Sequence, residues 1–184
     1  MNRSVVRCAT LGCCLASSAI AYAESNAAAV KADGRSRGLK GMRVATLKNV
    51  KSGLCLGIDH ASTANGARLK QFRCDNSRNQ SWRTQTGVQG IGLTFSNLKS
   101  NMCMGVDRGS KEPDANISQH YCEGALDEAW ITAGGGDSVR VMNYNSRLCI
   151  GVDRASKARG AQVKQFHCDD KPNQKWVPIF TKVP

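Results

Sequence analysis

The sequence is poor in aromatic residues (5%), in proline (four in 184 residues) and in acid, with 14 Asp and Glu against 26 Lys and Arg. Three histidines leave little imidazole chemistry to place, and His120 and His167 have no acid or nucleophile at catalytic spacing. No nucleophile elbow, zinc-protease helix or phosphate-binding loop occurs, so the common hydrolase and nucleotide-dependent classes find no support. No apolar run approaches the about 20 residues of a membrane-crossing helix, and no window keeps a 3.6-residue apolar period. The 41% of hydrophobic residues excludes wholesale disorder, but they come in short pieces.

Cysteine is in excess, at nine, more than a reducing compartment usually tolerates without metal. Arg3 and Arg7 precede an uncharged run from Ala9 to Ala21, and Ala21-Tyr22-Ala23 fits the small-x-small pattern of a signal-peptidase site. Residues 1–23 are therefore expected to be a cleaved export signal, which puts the chain in a secreted, periplasmic or otherwise extracellular setting. Its removal takes Cys8, Cys13 and Cys14 and leaves six cysteines, the even number that an exported disulfide framework requires. The rival reading, lipidation at Cys13, meets Thr10-Leu11-Gly12, which lacks the aliphatic residue usual three places before such a cysteine. Residues 24–41 mix Ala, Gly, Ser and basic side chains without a period and are expected to form a flexible leader.

The rest of the chain repeats itself. KSGLCLGIDHAS, KSNMCMGVDRGS and NSRLCIGVDRAS are each followed by a second cysteine and then a tryptophan. The first cysteines are Cys55, Cys103 and Cys149, the second are Cys74, Cys122 and Cys168, and the tryptophans are Trp82, Trp130 and Trp176. Asn49, Asn97 and Asn143 align as well, which sets repeats of 42–90, 91–137 and 138–184. Six cysteines allow 15 pairings, and a threefold repeat of constant spacing favours Cys55–Cys74, Cys103–Cys122 and Cys149–Cys168. No two of these cysteines lie as close as zinc sites usually need, so no metal is expected. Within repeat one, Met42–Leu47, Leu54–Ile58, Leu69–Phe72 and Trp82–Thr84 carry strand patterns bounded by turn residues. Four strands in each of three units are too few blades for a propeller and point to an all-β, closed threefold barrel with hairpin caps.

Cys-x-Gly-[Ile/Val]-Asp, an aromatic two residues before the second cysteine, and Asn79-Gln80-Ser81-Trp82 and Asn173-Gln174-Lys175-Trp176 resemble the ricin-type β-trefoil lectin domain family. The resemblance runs over residues 42–180. It implies that Trp82, Trp130 and Trp176 pack in the core and that Gln80 and Gln174 tie backbone together. It also implies carbohydrate binding in shallow pockets, one for each repeat. An acid there accepts hydrogen bonds from sugar hydroxyls, an aromatic stacks on the pyranose face, and an amide completes the contacts.

Repeats one and three carry this set as Asp59, Phe72, Asn79 and Asp153, Phe166, Asn173; repeat two carries a weaker one, Asp107, His120 and Asp127. The family acid normally stands two residues after the first cysteine, where this chain has Gly57, Gly105 and Gly151. Asp59, Asp107 and Asp153 come two places later, and side chains two apart on a strand point the same way. Two plainer readings compete: the Asp residues form turns by bonding their own backbone, and Phe72 and Phe166 close a hairpin over the core.

Charge is uneven, with net +6, −4 and +6 in the three repeats in order. An exported basic chain with few aromatics among its charges fits anionic cell-surface glycans better than nucleic acid. The expectation is a secreted, non-enzymatic lectin without cofactor, binding mainly through repeats one and three. The alternative is a protein-binding trefoil, an inhibitor or a toxin's targeting subunit, that works through its loops.

Overall fold

The first cysteine of each repeat motif opens a strand. The structure is a computed structural model that describes residues 43–181; the expected export signal and leader, Met42 and residues 182–184 lie outside the described residues. Repeat one gives β1 (Arg43–Asn49), β2 (Cys55–Ile58), β3 (Leu69–Phe72) and β4 (Trp82–Thr86). Repeat two gives β5 (Leu93–Asn97), β6 (Cys103–Val106), β7 (Ile117–His120) and β8 (Trp130–Ala133). Repeat three gives β9 (Arg140–Asn143), β10 (Cys149–Val152), β11 (Val163–Phe166) and β12 (Trp176–Thr181).

All pairing is antiparallel. The circuit β1–β4–β5–β8–β9 is closed by β12, which pairs along β1 and meets the start of β9 at Val139 and Trp176. The hairpins β2–β3, β6–β7 and β10–β11 cap this six-stranded barrel. The architecture is a β-trefoil. β1 and β4 run two residues past their expected ends because register partners continue there: Lys48 and Asn49 face Val177 and Trp176, and Gln85 and Thr86 face Thr94 and Leu93.

The core is threefold in composition. Trp82, Trp130 and Trp176 are fully buried, each donating its indole N–H to the carbonyl of Leu56, Met104 or Ile150 at 3.3, 2.9 and 3.2 Å. Around them stand further triplets, such as Leu47, Phe95 and Val141, or Leu69, Ile117 and Val163. An indole removes about 150–250 Å² from water, worth at most about 4–6 kcal/mol at 25 cal/mol per Å². The three disulfides are those the repeat symmetry favours, with Cα–Cα distances of 5.1, 5.0 and 5.0 Å.

Buried amides sew the repeats together in a ring. Asn49, Asn97 and Asn143 donate Nδ2 to the carbonyls of Asn173, Asn79 and Asp127 of the preceding repeat. Gln71, Gln119 and Gln165 are fully buried. Gln71 Oε1 accepts from Ser52 Oγ at 2.7 Å while its Nε2 donates to Ser156 O and Ala158 O at 3.0 and 2.9 Å. Gln119 binds Ser62 O and Ala64 O, and Gln165 binds Ser110 O and Glu112 O, in the same way. Each long β2–β3-type loop is thereby held against the cap of the next repeat. That contact brings a loop of the preceding repeat beside the recesses of repeats one and two.

Candidate functional site

Strand β2 ends at Ile58, and the chain turns from Asp59. Ser62 N–H donates to Asp59 O at 3.0 Å, and His60 and Ala61 take left-handed φ of 52° and 50°. Arg108 and Gly109, and Arg154 and Ala155, repeat this pair of angles. Glycine suits the second position; alanine there stores about 1–2 kcal/mol of local strain. The turn sets the direction of the Asp side chain: Asp59 Oδ2 lies 2.7 Å from Lys70 Nζ, and Asp153 Oδ2 lies 3.6 Å from Lys164 Nζ. Repeat two has Ser118 at the lysine position, and Asp107 Oδ1 instead faces His120 Nε2 at 3.3 Å.

Phe72 and Asn79 converge on Gly57. A methyl placed on Gly57 would stand 3.3 Å from Phe72 Cδ2 and 3.4 Å from Asn79 Nδ2. Gly151 has the same relation to Phe166 and to the backbone of Asn173, and Gly105 to His120 and Asp127. The glycine is thus the floor of the site in every repeat. In repeats one and three it admits no side chain, because the methyl would also meet Cγ of Gln80 or Gln174 at 2.9 Å. Those glutamines are fixed: Gln80 Nε2 donates to Arg73 O at 2.8 Å and Gln174 Nε2 to His167 O at 2.9 Å. In repeat two Glu128 is buried and accepts instead, from the N–H groups of Glu123 and Gly124 at 3.1 and 3.0 Å.

In repeat one a recess of about 340 Å³ opens beside Phe72 and Asn79, with His60, Arg73, Asp75 and Arg159 around it. Its size is at the low end of small-molecule sites. Ser77 Oγ, whose single proton goes to Asp75 Oδ1, lies 2.7 Å from one end of the Asn79 amide, and the other end has no hydrogen-bond partner among the described residues. Asp59 does not line this recess; it is engaged by Lys70. Repeat two has two recesses that share His120: one of about 520 Å³ contains Asp107, the other of about 260 Å³ contains Asp127, Glu123 and Asn65. Asp107 and Asp127 therefore line different recesses. In repeat three Phe166 is half-buried, but Asn173 is buried and donates Nδ2 to Val152 O at 3.3 Å.

Two carboxyls, each directly after a repeat's second cysteine, are held below the usual range. Asp75 is lowered by hydrogen bonds from the hydroxyl and backbone N–H of Ser77, with Arg159 adding a smaller attraction. At Asp169 burial pushes upward, but the backbone N–H and the ammonium of Lys171 outweigh it. Among the described residues no three His, Cys, Asp or Glu side chains gather as a metal would require.

The sequence does not single out Arg73, Asp75 or Arg159, nor the role of Gln71. Register gives the one available clue: Asn65, Pro113 and Arg159 occupy the same place in the three β2–β3-type loops. That the loops of repeats three and one line the sites of repeats one and two appears only once the ring of glutamines is seen.

Residues 43–176 match the ricin-type beta-trefoil lectin domain. No curated protein matches the sequence. Among solved structures, the designed three-fold symmetric protein ThreeFoil is 26% identical with a TM-score of 0.71, over 74% of this chain and 97% of its own. The Rhizoctonia solani agglutinin is 21% identical with a TM-score of 0.68, over 76% of this chain and 95% of its own. The Macrolepiota procera ricin B-like lectin, solved with lactose, is 13% identical with a TM-score of 0.63, over 73% of this chain and 93% of its own. The Clostridium thermocellum exo-beta-1,3-galactanase is also similar, but there the match spans only 30% of that chain. The family match covers well over half of the sequence, and this chain belongs to the ricin-type beta-trefoil lectin domain family.

Proposed function

We propose that this chain is an exported, non-enzymatic lectin that binds saccharides in shallow recesses beside the aromatic–amide pairs, first at Phe72 and Asn79 of repeat one. Family membership supports carbohydrate binding in general, as do relatives such as the one solved with lactose. The single observation that carries the choice of site is the convergence of Phe72 and Asn79 on the bare floor of Gly57. The ring offers an apolar face to sugar C–H groups, and the unpartnered end of the Asn79 amide offers a hydrogen bond to a hydroxyl. Repeat three has the same side chains, with Phe166 and Asn173, and serves as the secondary site, its amide being drawn to Val152 O.

The acid role is reassigned in this reading. Asp59 holds Lys70, and Asp153 faces Lys164, which is itself hydrogen-bonded to Asp114 at 3.0 Å, so both acids act on a ligand through these lysines or after they swing away. The basic repeats one and three, at +6 each, favour glycans of negative charge on cell surfaces, and the three disulfides suit an oxidising, extracellular setting. A glycan array probed with the mature chain tests this function. Signal from a family of related saccharides, competed by the free sugar, is expected; a blank array repeated at millimolar free saccharide refutes it.

A further inference from the structure

The three repeats are built alike, so their differences act as internal controls on the site. The recess beside Phe72 is rimmed by Arg73 and Arg159 against one acid, Asp75. Its counterpart in repeat two has Tyr121 where Arg73 stands and Asn65 where Arg159 stands, and it is lined by Glu123, Asp127 and Glu128 against the single cation Arg108. The formal charge at the rim changes from positive to negative between two recesses of the same design. By register repeat three receives Pro113 at the Arg159 position and has His167 at the Arg73 position, so neither guanidinium is present there.

Arg159 is not part of repeat one at all. Its loop is carried over from repeat three and pinned by backbone bonds, Gly160 N–H to Gln71 O at 2.8 Å and Gln71 N–H to Ala161 O at 3.0 Å. The Gln71 side chain, held to Ser156 O and Ala158 O, fixes the residue just before Arg159. The guanidinium is therefore delivered on anchored backbone. Among the described residues neither Arg73 nor Arg159 has an ion-pair partner within 4.0 Å. The acid beside them is partly engaged: Asp75 Oδ1 accepts from both the N–H and the hydroxyl of Ser77. Arg159 still reaches Asp75 electrostatically, which agrees with its facing the recess. A planar fork of donors beside a stacking ring and an amide is an arrangement that fits a carboxylate fixed to a pyranose.

We infer that the recess of repeat one selects a carboxylated sugar, a terminal sialic acid or a hexuronic acid, and that Arg159, supplied by repeat three, is its specificity-determining residue. The inference rests on the saccharide-binding reading of this site and adds the class of sugar and the residue that chooses it. The recess of repeat two, with its acidic rim, rejects the same ligands.

Isothermal titration of the mature chain with 3′-sialyllactose against lactose, and with methyl β-glucuronide against methyl β-glucoside, tests it and separates the two sources of carboxylate. At least one acidic ligand is expected to bind about tenfold more tightly than its neutral partner, the low end of what a charge-assisted hydrogen bond provides. Arg159→Ala should abolish that preference, bringing the acidic and neutral affinities together. Lys157→Ala, an exposed cation in the same loop that does not line the recess, should keep it. Equal binding of acidic and neutral sugars by the wild type, or an equal loss in Lys157→Ala, overturns the inference while saccharide binding stands. No heat with any of the four ligands overturns both.

Discussion

Replacing Gly57 by alanine probes why the family's acid is missing from its usual place. The new methyl would lie 2.9 Å from Gln80 Cγ and 3.3 Å from Phe72 Cδ2, against about 3.5–4.0 Å for carbon atoms at rest. Gln80 cannot retreat without losing its bond to Arg73 O. Forcing one methyl into such a place costs about 1–3 kcal/mol, and the stiffer unfolded chain returns about 0.4–1 kcal/mol. The net expectation is a loss of about 1–2 kcal/mol. Gly105→Ala is the matched control: its nearest neighbours are His120 Cδ2 at 3.2 Å and Asp127 Oδ2 at 3.3 Å, both on half-exposed side chains, with Glu128 Cγ at 3.6 Å. The two variants share the unfolded-state effect, so their difference reports the floor alone. Urea unfolding at constant m should place Gly57→Ala below Gly105→Ala by about 1 kcal/mol, with Gly151→Ala close to Gly57→Ala. Equal midpoints for Gly57→Ala and Gly105→Ala would refute the account of a floor closed by Gln80.

Gln71→Leu should cost about 2–4 kcal/mol in the same assay, since it removes three hydrogen bonds at about 1 kcal/mol each and strands their partners, while Gln85→Leu at an exposed position should fall within about 0.5 kcal/mol of wild type. Reduction should lower the melting temperature strongly, because each bridge closes a loop worth about 3 kcal/mol of chain entropy; peptide mapping that finds pairs between repeats would contradict the structure. Asp75 and Asp169 are lowered from the ordinary 3.8. A lowered carboxyl adds stability that is present above its unfolded pKa and fades as pH falls through the folded value. Carbon-detected NMR titration should therefore show both titrating below pH 3.8, and Ser77→Ala should bring Asp75 back toward it.

Much of the fold was legible because it is written three times. The constant spacing of Cys55 to Cys74 and on to Trp82 marks a unit, and three such units constrain disulfides, core indoles and strand number together. The sites were legible only in part, for two physical reasons. Asp59 sits at the right parity along β2 to serve the pocket, but parity ends where the strand does. The left-handed pair His60–Ala61 redirects the chain, and Lys70, two places before Phe72 on the same outward face, captures the carboxylate. Arg159 lies 87 residues beyond Phe72 in sequence, and only barrel closure makes them neighbours. The burial of Gln71, Gln119 and Gln165, and the seam they form between repeats, depends on loops of the preceding repeat that no local pattern reveals.

The central claim is that Phe72 and Asn79 form a saccharide site on the floor of Gly57. It is tested most directly by following backbone amide resonances of the wild type and of Phe72→Ala while 3′-sialyllactose and lactose are titrated to millimolar concentration. The account predicts saturable shifts at His60, Phe72, Arg73 and Asn79 for at least one of the two ligands. In Phe72→Ala, which should keep a dispersed folded spectrum, affinity should fall about fivefold or more, matching the loss of about 1 kcal/mol of aromatic contact. Spectra that never shift with either ligand, or shifts that persist unchanged in Phe72→Ala, would contradict it.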